Sequence, residues 1–353
     1  MNALLGLFLH AVGGLSAGSF YVPLKKVRNW SWESSWFVMG IAAWIVGPLV
    51  VAWLTVPNFV DAIAQAESNV LWRTYFLGAL WGIGGLTFGL AMRYLGMGLG
   101  YAVTLGLCAV FGTLVPPIFH GTLVDAFSSL SGLIIGVGLI VCVVGIGLSG
   151  YAGKLREKET VATEAEQSVS EFDSKKGYLV ALVSGLLSAC MAFAISAGQP
   201  IADIVLELVP TDADLDRVSL FRNNAVLCVV LAGGFTTNAV WCLWLMFKNK
   251  TAGDLSKKSG HQARNYVLSS LSGLIWYGQF FFYGMGTTKL GEQYEFSSWT
   301  LHMAFIVIFS TLWSLMLKEW NGVGAKPKRF VLAGVGVLIL STIIIGYGNY
   351  LAA

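Results

Sequence analysis

Residues 275–303 read IWYGQFFFYGMGTTKLGEQYEFSSWTLHM, two apolar segments joined by a short polar turn. Each segment carries polar and aromatic side chains at helical spacing, so they share one face of a helix. They are Trp276, Gln279 and Tyr283 on the first segment, and Glu295, Trp299 and His302 on the second. An amide, two indoles, a phenol, a carboxylate and an imidazole are the groups that would bind a polyhydroxylated ligand and a titrating proton.

The composition surrounding this stretch is that of a membrane protein. Of 353 residues, 56% are hydrophobic and 12% charged, whereas soluble domains carry about 25% charged residues. The apolar residues fall in windows of about 20 residues, the length of a membrane-spanning helix. We predict an all-α integral membrane fold with ten spans. They cover residues 3–24, 35–56, 71–92, 99–119, 130–150, 177–199, 218–247, 265–288, 297–317 and 330–351.

Lysine and arginine are distributed unevenly among the connections between these spans. Of the 22 such residues, 18 lie in odd-numbered connections and four in even-numbered ones. Positive connections face the cytoplasm, so we expect both termini to be periplasmic. No basic region precedes the first span, and we expect it to be retained rather than cleaved.

The longest connection, residues 151–176, is rich in Glu, Lys, Ser and Thr. We interpret it as a solvated cytoplasmic linker between two five-span repeats, residues 1–150 and 177–353. The pattern Trp81-x7-Gly89-x5-Leu95-Gly96 recurs 195 residues later, starting at Trp276. A repeat of five spans must be inserted with opposite orientation, and inverted repeats are typical of secondary transporters.

Several longer motifs extend from the first span to the connection after the ninth. They are Phe20-Tyr21-x-Pro23-x-Lys25-Lys26-Val27, Trp30-Ser31-Trp32-Glu33, Trp81-Gly82-Ile83-Gly84, Met92-Arg93-Tyr94-Leu95-Gly96-Met97, Gln279-Phe280-Phe281-Phe282-Tyr283, Ser298-Trp299-x-Leu301-His302-Met303 and Leu317-Lys318-Glu319-Trp320. In these motifs the chain resembles the L-rhamnose–proton symporter family of the drug/metabolite transporter superfamily. The resemblance implies a 5+5 inverted repeat of ten helices, and uptake of a 6-deoxyhexose with a proton across a bacterial inner membrane. The chain departs from the family at Gly85-Leu86-Thr87-Phe88, where we expect Asn-x-Asn-Tyr, and this change affects which sugar fits.

We predict that sugar-binding side chains come from both apolar segments and from two earlier spans. The candidates are Gln279, Trp276, Tyr283, Trp299, His302, Tyr21 and Trp81. Aromatic rings stack on the apolar face of a pyranose, and an amide binds hydroxyls. Alternatively, the aromatic residues form a packed core or an interfacial belt, and the glutamine bridges to a neighbouring helix.

Ionisable residues inside a span are candidates for proton coupling. His302 is the first choice, because imidazole changes charge near neutral pH. Glu295 is the second, at the outer edge of the same helix. Glu33 and His10 follow, although Glu33 more simply pairs with the basic residues beside it, and His10 is equally well a structural histidine.

Other classes of function lack their motifs. The sequence has no phosphate-binding glycine loop, no cluster with metal-ligand spacing and no catalytic triad at one depth, so we expect neither an enzyme nor a cofactor other than the proton. Asp212, Asp214 and Asp216 lack the glycine and glutamate of a calcium loop. Five scattered cysteines indicate core packing.

The expected partners are a sugar and the lipid bilayer; nucleic acid is not expected and an oligomer is not required. The alternatives are a carrier for another monosaccharide or small metabolite and, more remotely, an intramembrane enzyme or a channel.

Overall fold

The computed structural model describes residues 2–95, 97–119, 121–163, 174–211, 213–256, 260–290, 295–318 and 320–352. These residues are mostly helical and contain no strand. The helices are α1 Ala3–Ser19, α2 Tyr21–Leu24, α3 Trp32–Ile41, α4 Gly47–Thr55, α5 Phe59–Gln65, α6 Ser68–Leu95, α7 Met97–Phe119, α8 Leu123–Ser128, α9 Leu130–Thr163, α10 Ser174–Ala197, α11 Gln199–Glu207, α12 Leu215–Phe221, α13 Asn223–Asn249, α14 Gln262–Leu290, α15 Glu295–Met316 and α16 Ala325–Ala352.

Seven helical segments in the described part of the chain are long and apolar enough to cross a membrane. They are Ala3–Leu24, Trp32–Thr55, Leu130–Arg156, Lys175–Glu207, Leu215–Asn249, Ser297–Met316 and Ala325–Leu351. The other three predicted spans, residues 71–92, 99–119 and 265–288, fall within α6, α7 and α14. α14 carries many hydroxyl and amide side chains, among them the candidate Gln279, and these make it less apolar.

Several segments that the sequence presents as single spans are interrupted. A π-helical turn, Ala42–Val46, separates α3 from α4. Gly198 separates α10 from α11, just before Pro200, which has no N–H to continue a helical ladder. The long seventh segment consists of α12 and α13, which meet at Arg222.

The predicted linker is partly helical and packed. α9 continues to Thr163, and Ala152 is fully buried in a cluster with Trp320, Val323 and Val331. The Arg156 guanidinium lies 5.2 Å from the centre of the Trp320 ring, a cation–π contact. The first part of the linker is therefore helical and partly packed against the connection after α15, with Lys158 and Glu159 exposed, and residues 164–173 lie outside the described residues.

Contacts divide the chain into two compact units, each built from both halves of the sequence. Unit 1 contains Met1–Gly18, Gly84–Ala192 and Gly286–Ala353, and unit 2 contains Ser19–Ile83 and Phe193–Met285.

In unit 1, α9 and α16 pack closely because glycines face the partner helix. A Cβ on Gly145 would lie 2.8 Å from the Leu338 side chain, so no larger residue fits without a shift. The Ser341 hydroxyl donates to the Gly138 carbonyl at 2.8 Å. Small residues that allow close approach, supported by a hydroxyl bond, are the usual means by which helices associate in a membrane.

In unit 2, α13 packs against α3, the π turn, α4 and α11. Buried amides join these elements. Asn238 accepts a hydrogen bond from the Trp36 indole at 3.1 Å and donates to the Gly234 carbonyl at 3.0 Å. Asn224 donates to the Thr55 hydroxyl at 2.8 Å. Such bonds satisfy groups that no water reaches inside a bilayer.

Two sequence features that resembled functional motifs have structural roles. All five cysteines are free thiols, and four of them are buried, which confirms that they pack the core. The Asp214 carboxylate caps α12 by accepting from the Arg217 backbone N–H at 3.1 Å, and Asp212 lies outside the described residues.

The glycines of α6 allow a direct test of this packing. A Cβ on Gly78 would collide with the Val230 carbonyl of α13, whereas a Cβ on Gly85 meets nothing within 4 Å. Because a backbone atom cannot yield as a flexible side chain does, we expect Gly78→Ala to destabilise the protein by about 1–3 kcal/mol. Thermal unfolding of the purified protein in detergent measures the effect, with Gly85→Ala as the control on the same helix. Equal midpoints for the two variants would contradict the packing.

Candidate functional site

α14 presents the predicted face as one buried stripe. Trp276, Gln279 and Tyr283 are all buried, which confirms that the helical spacing places them together. Gln279 is 5% exposed, and its amide nitrogen has no hydrogen-bond partner among the described residues. An unpaired buried amide costs about 1–3 kcal/mol, so this donor is positioned for an acceptor that the described side chains do not supply.

Aromatic rings surround the first turn of that stripe. Trp276 lies 5.6 Å from Trp81 of α6, ring centre to ring centre, and 5.0 Å from Phe280. Trp44 of the π turn lies 5.3 Å from Trp276 and nearly perpendicular to it. We call Trp44, Trp81, Trp276 and Phe280 the indole cluster. Trp81 and Trp276 were predicted from the sequence but Trp44 was not, because nothing in the sequence distinguishes it from Trp36 and Trp53 of the same span.

The indole cluster depends on two glycines. A Cβ on Gly234 of α13 would collide with the Trp81 ring, so this glycine admits the indole. Gly273 of α14 lies against the backbone of Met39 and Ala43. That close approach brings Trp276, one turn further along, against the π turn.

A pair of amides lies beside the other end of the stripe. Asn223 donates to the Gly284 carbonyl at 3.1 Å and accepts from the Gln199 side chain at 3.2 Å. Gly284 follows the candidate Tyr283 directly. These amides were not among the residues predicted from the sequence. A feature that could have indicated them is Asn223, the residue that begins α13.

Unit 1 contains the two histidines that were predicted from the sequence as candidates for proton coupling. His10 of α1 and His302 of α15 are fully buried, and their ring centres lie 6.5 Å apart. Trp299 lies 6.2 Å from His302. His10 fits because Gly286 has no side chain; a Cβ there would lie 2.8 Å from the imidazole. The fold therefore brings together two ionisable groups far apart in sequence.

Several polar groups on and beside Trp299 are paired. Its indole N–H donates to the Cys108 carbonyl at 3.1 Å, and Thr113 and Thr300 share a hydrogen bond of 2.6 Å. A Cβ on Gly112 would collide with the indole nitrogen. These contacts fix the position of the Trp299 ring beside His302.

The carboxylate of Glu33 is held by neutral groups. Its Oε1 atom accepts from the Asn249 amide at 3.0 Å and from the Thr251 hydroxyl at 2.7 Å. The basic residues beside Glu33 were the expected partners, whereas these two hydrogen bonds join the carboxylate to the end of α13 and to the turn after it. This arrangement fastens the start of α3 to that turn.

Two further candidates lie elsewhere. Tyr21 is 42% exposed, and the Lys25 ammonium lies 5.8 Å from the centre of its ring. Glu295 opens α15, but its side chain lies outside the described residues. Tyr21 and Glu295 stay predictions.

The segment where the chain departs from the expected motif offers no free polar group. Gly85 has no side chain, and a Cβ there would meet open space. The Thr87 hydroxyl donates to the Gly84 carbonyl within its own helix at 3.1 Å.

In the described part of the chain, no group of three His, Cys, Asp or Glu side chains is placed to hold a metal ion. The described candidate side chains are of two chemical kinds: indoles and amides in unit 2, and the imidazoles of His10 and His302 in unit 1.

Comparison with known proteins identifies the family of this chain. The chain matches the family described as L-rhamnose-proton symport protein over residues 1–351. It is 36% identical over 350 residues to the L-rhamnose-proton symporter of Mannheimia succiniciproducens, which covers 98% of both chains. It is likewise 36% identical to the L-rhamnose-proton symporters of Shigella dysenteriae serotype 1 and Escherichia coli, covering 98% of this chain and 97% of theirs. The chain therefore belongs to the L-rhamnose-proton symport protein family, a family of membrane transporters and not of enzymes.

Proposed function

We propose that this chain imports L-rhamnose, or a closely related 6-deoxyhexose, together with a proton. One observation carries the proposal: membership of the family over essentially the whole chain, in a fold whose described residues include seven apolar helical segments of membrane-spanning length. The indole cluster and the Gln279 amide supply what a sugar needs, namely apolar ring faces and a hydrogen-bond donor. A carrier of the same fold for another monosaccharide or small metabolite is the alternative, favoured by Gly85 and Thr87 standing where amide side chains are expected.

We extend the proposal to the finer architecture. Ten spans form a 5+5 inverted repeat of the drug/metabolite transporter type that works by alternating access. The unit boundaries support it, because they fall within the first and third predicted spans of each half. The bacterial inner membrane is the proposed location, with both termini periplasmic, and a C-terminal reporter active only in the cytoplasm should be silent.

Transport is tested with the purified protein in proteoliposomes. We expect uptake of labelled L-rhamnose to exceed that of other sugars, and an inwardly directed proton gradient to drive accumulation above the external concentration. Empty liposomes and vesicles treated with a protonophore are the controls. Accumulation that is unaffected by the proton gradient would contradict proton coupling. Preference for another sugar would favour the alternative substrate.

We assign sugar binding to the face of α14. Gln279→Ala removes a buried donor, and the sugar group that it served is left unpaired, so we expect binding of L-rhamnose to weaken by about tenfold or more. Competition binding measures the loss, and Asn321→Ala, an exposed residue distant in sequence, is the control. Unchanged affinity in a folded Gln279→Ala protein would show that this amide only packs.

We assign proton coupling to His302 first and to Glu295 second; His302 is fully buried and its ring centre lies 6.5 Å from that of His10. Exchange needs only the loaded carrier to reorient, whereas accumulation needs the proton to be carried and released in each cycle. We therefore expect the coupling variant, His302→Gln or Glu295→Gln, to retain exchange and to lose uphill uptake. Both modes are measured in the same vesicles.

The 6.5 Å separation of His10 and His302 makes His10→Gln the informative companion variant. If His302→Gln and Glu295→Gln both accumulate sugar as the parent does, neither carries the proton, and the assignment moves to His10 or Glu33.

A further inference from the structure

Trp44 is a second buried hydrogen-bond donor in the indole cluster. It is 3% exposed, and its indole N–H has no acceptor among the described residues. Trp36, eight residues earlier on the same segment, has the same group and bonds it to Asn238 at 3.1 Å. The fold therefore pairs one indole of this segment and leaves the other without an acceptor.

The π turn explains how Trp44 reaches the cluster. In the turn Ala42–Val46 the Gly47 N–H bonds to the Ala42 carbonyl, five residues back, which inserts one extra residue into the helix. π turns are rare in proteins overall, and those that occur are often found at functional sites. Gly40 leaves room for the ring: a Cβ there would lie 2.8 Å from the indole of Trp44.

The rings around Trp44 offer faces and edges rather than acceptors. Trp36 lies 6.2 Å from it, Trp81 6.2 Å and Trp276 5.3 Å, all steeply inclined to its plane. A buried N–H surrounded by rings is costly unless a ligand or a water accepts from it. Gln279, one turn beyond Trp276 on α14, presents a second unpaired donor.

We propose that Trp44 is a specificity-determining residue of the sugar site, whose indole N–H donates to one oxygen atom of the transported 6-deoxyhexose. This inference rests on the proposed function. The π turn sets the position of the donor, while the indole cluster packs against the apolar face of the sugar.

The test combines Trp44→Phe with a series of L-rhamnose analogues, each lacking one oxygen atom. We expect Trp44→Phe to weaken L-rhamnose binding by about tenfold. For the analogue that lacks the accepting oxygen, parent and variant should bind equally. Competition against labelled L-rhamnose measures every pair, and Trp53→Phe, which is 73% exposed on the same span, should leave all affinities unchanged.

A second variant distinguishes the loss of the indole N–H from misfolding of the protein. Replacing Trp44 by β-(3-benzothienyl)alanine keeps the bicyclic shape and removes only the N–H, so it should reproduce the loss with the thermal stability of the parent. An equal loss for every analogue, or no loss at all, would overturn the inference and assign Trp44 to packing or to a bound water. If the parent itself binds neither L-rhamnose nor any analogue, the proposed function fails, and that result is distinct from a uniform loss.

Discussion

A polar group inside a bilayer must find its partner within the protein, and this requirement organises the molecule. Asn238 and Asn224 bond across helices of unit 2, and Ser297 bonds to Asn349 in unit 1. Trp299 donates to a backbone carbonyl. The Gln279 amide nitrogen and the Trp44 indole nitrogen are among the buried groups without a partner in the described residues, and Trp44 lies within the indole cluster. A transported sugar would supply the missing acceptors during each cycle.

The two kinds of candidate side chain belong to different units. The indole cluster and Gln279 lie in unit 2, and the histidine pair lies in unit 1. Coupled transport requires that protonation of one group changes the affinity for sugar, and the effect is reciprocal. Glu33 is less suited to this role because an amide and a hydroxyl hold its carboxylate at the start of α3.

Helical periodicity predicted the parts of the site that lie on regular helices. The spacing of Trp276, Gln279 and Tyr283 was sufficient, because α14 is continuous through all three. Trp44 could not be predicted in this way, since the π turn breaks the period and the partners of its ring come from distant segments. The packing of His10 against His302 is likewise a tertiary contact. The helix that enters the linker was missed because its stabilising contact, Arg156 on Trp320, joins residues far apart in sequence.

Sugar and proton are proposed to move together, and a measurement of proton entry driven by sugar tests this coupling. Proteoliposomes with a trapped pH dye, equal pH on both sides and the membrane potential clamped at zero are given L-rhamnose outside. We predict that the lumen acidifies on addition of L-rhamnose, that D-glucose has no effect and that a protonophore abolishes the signal. Entry of L-rhamnose with no change in luminal pH would contradict it.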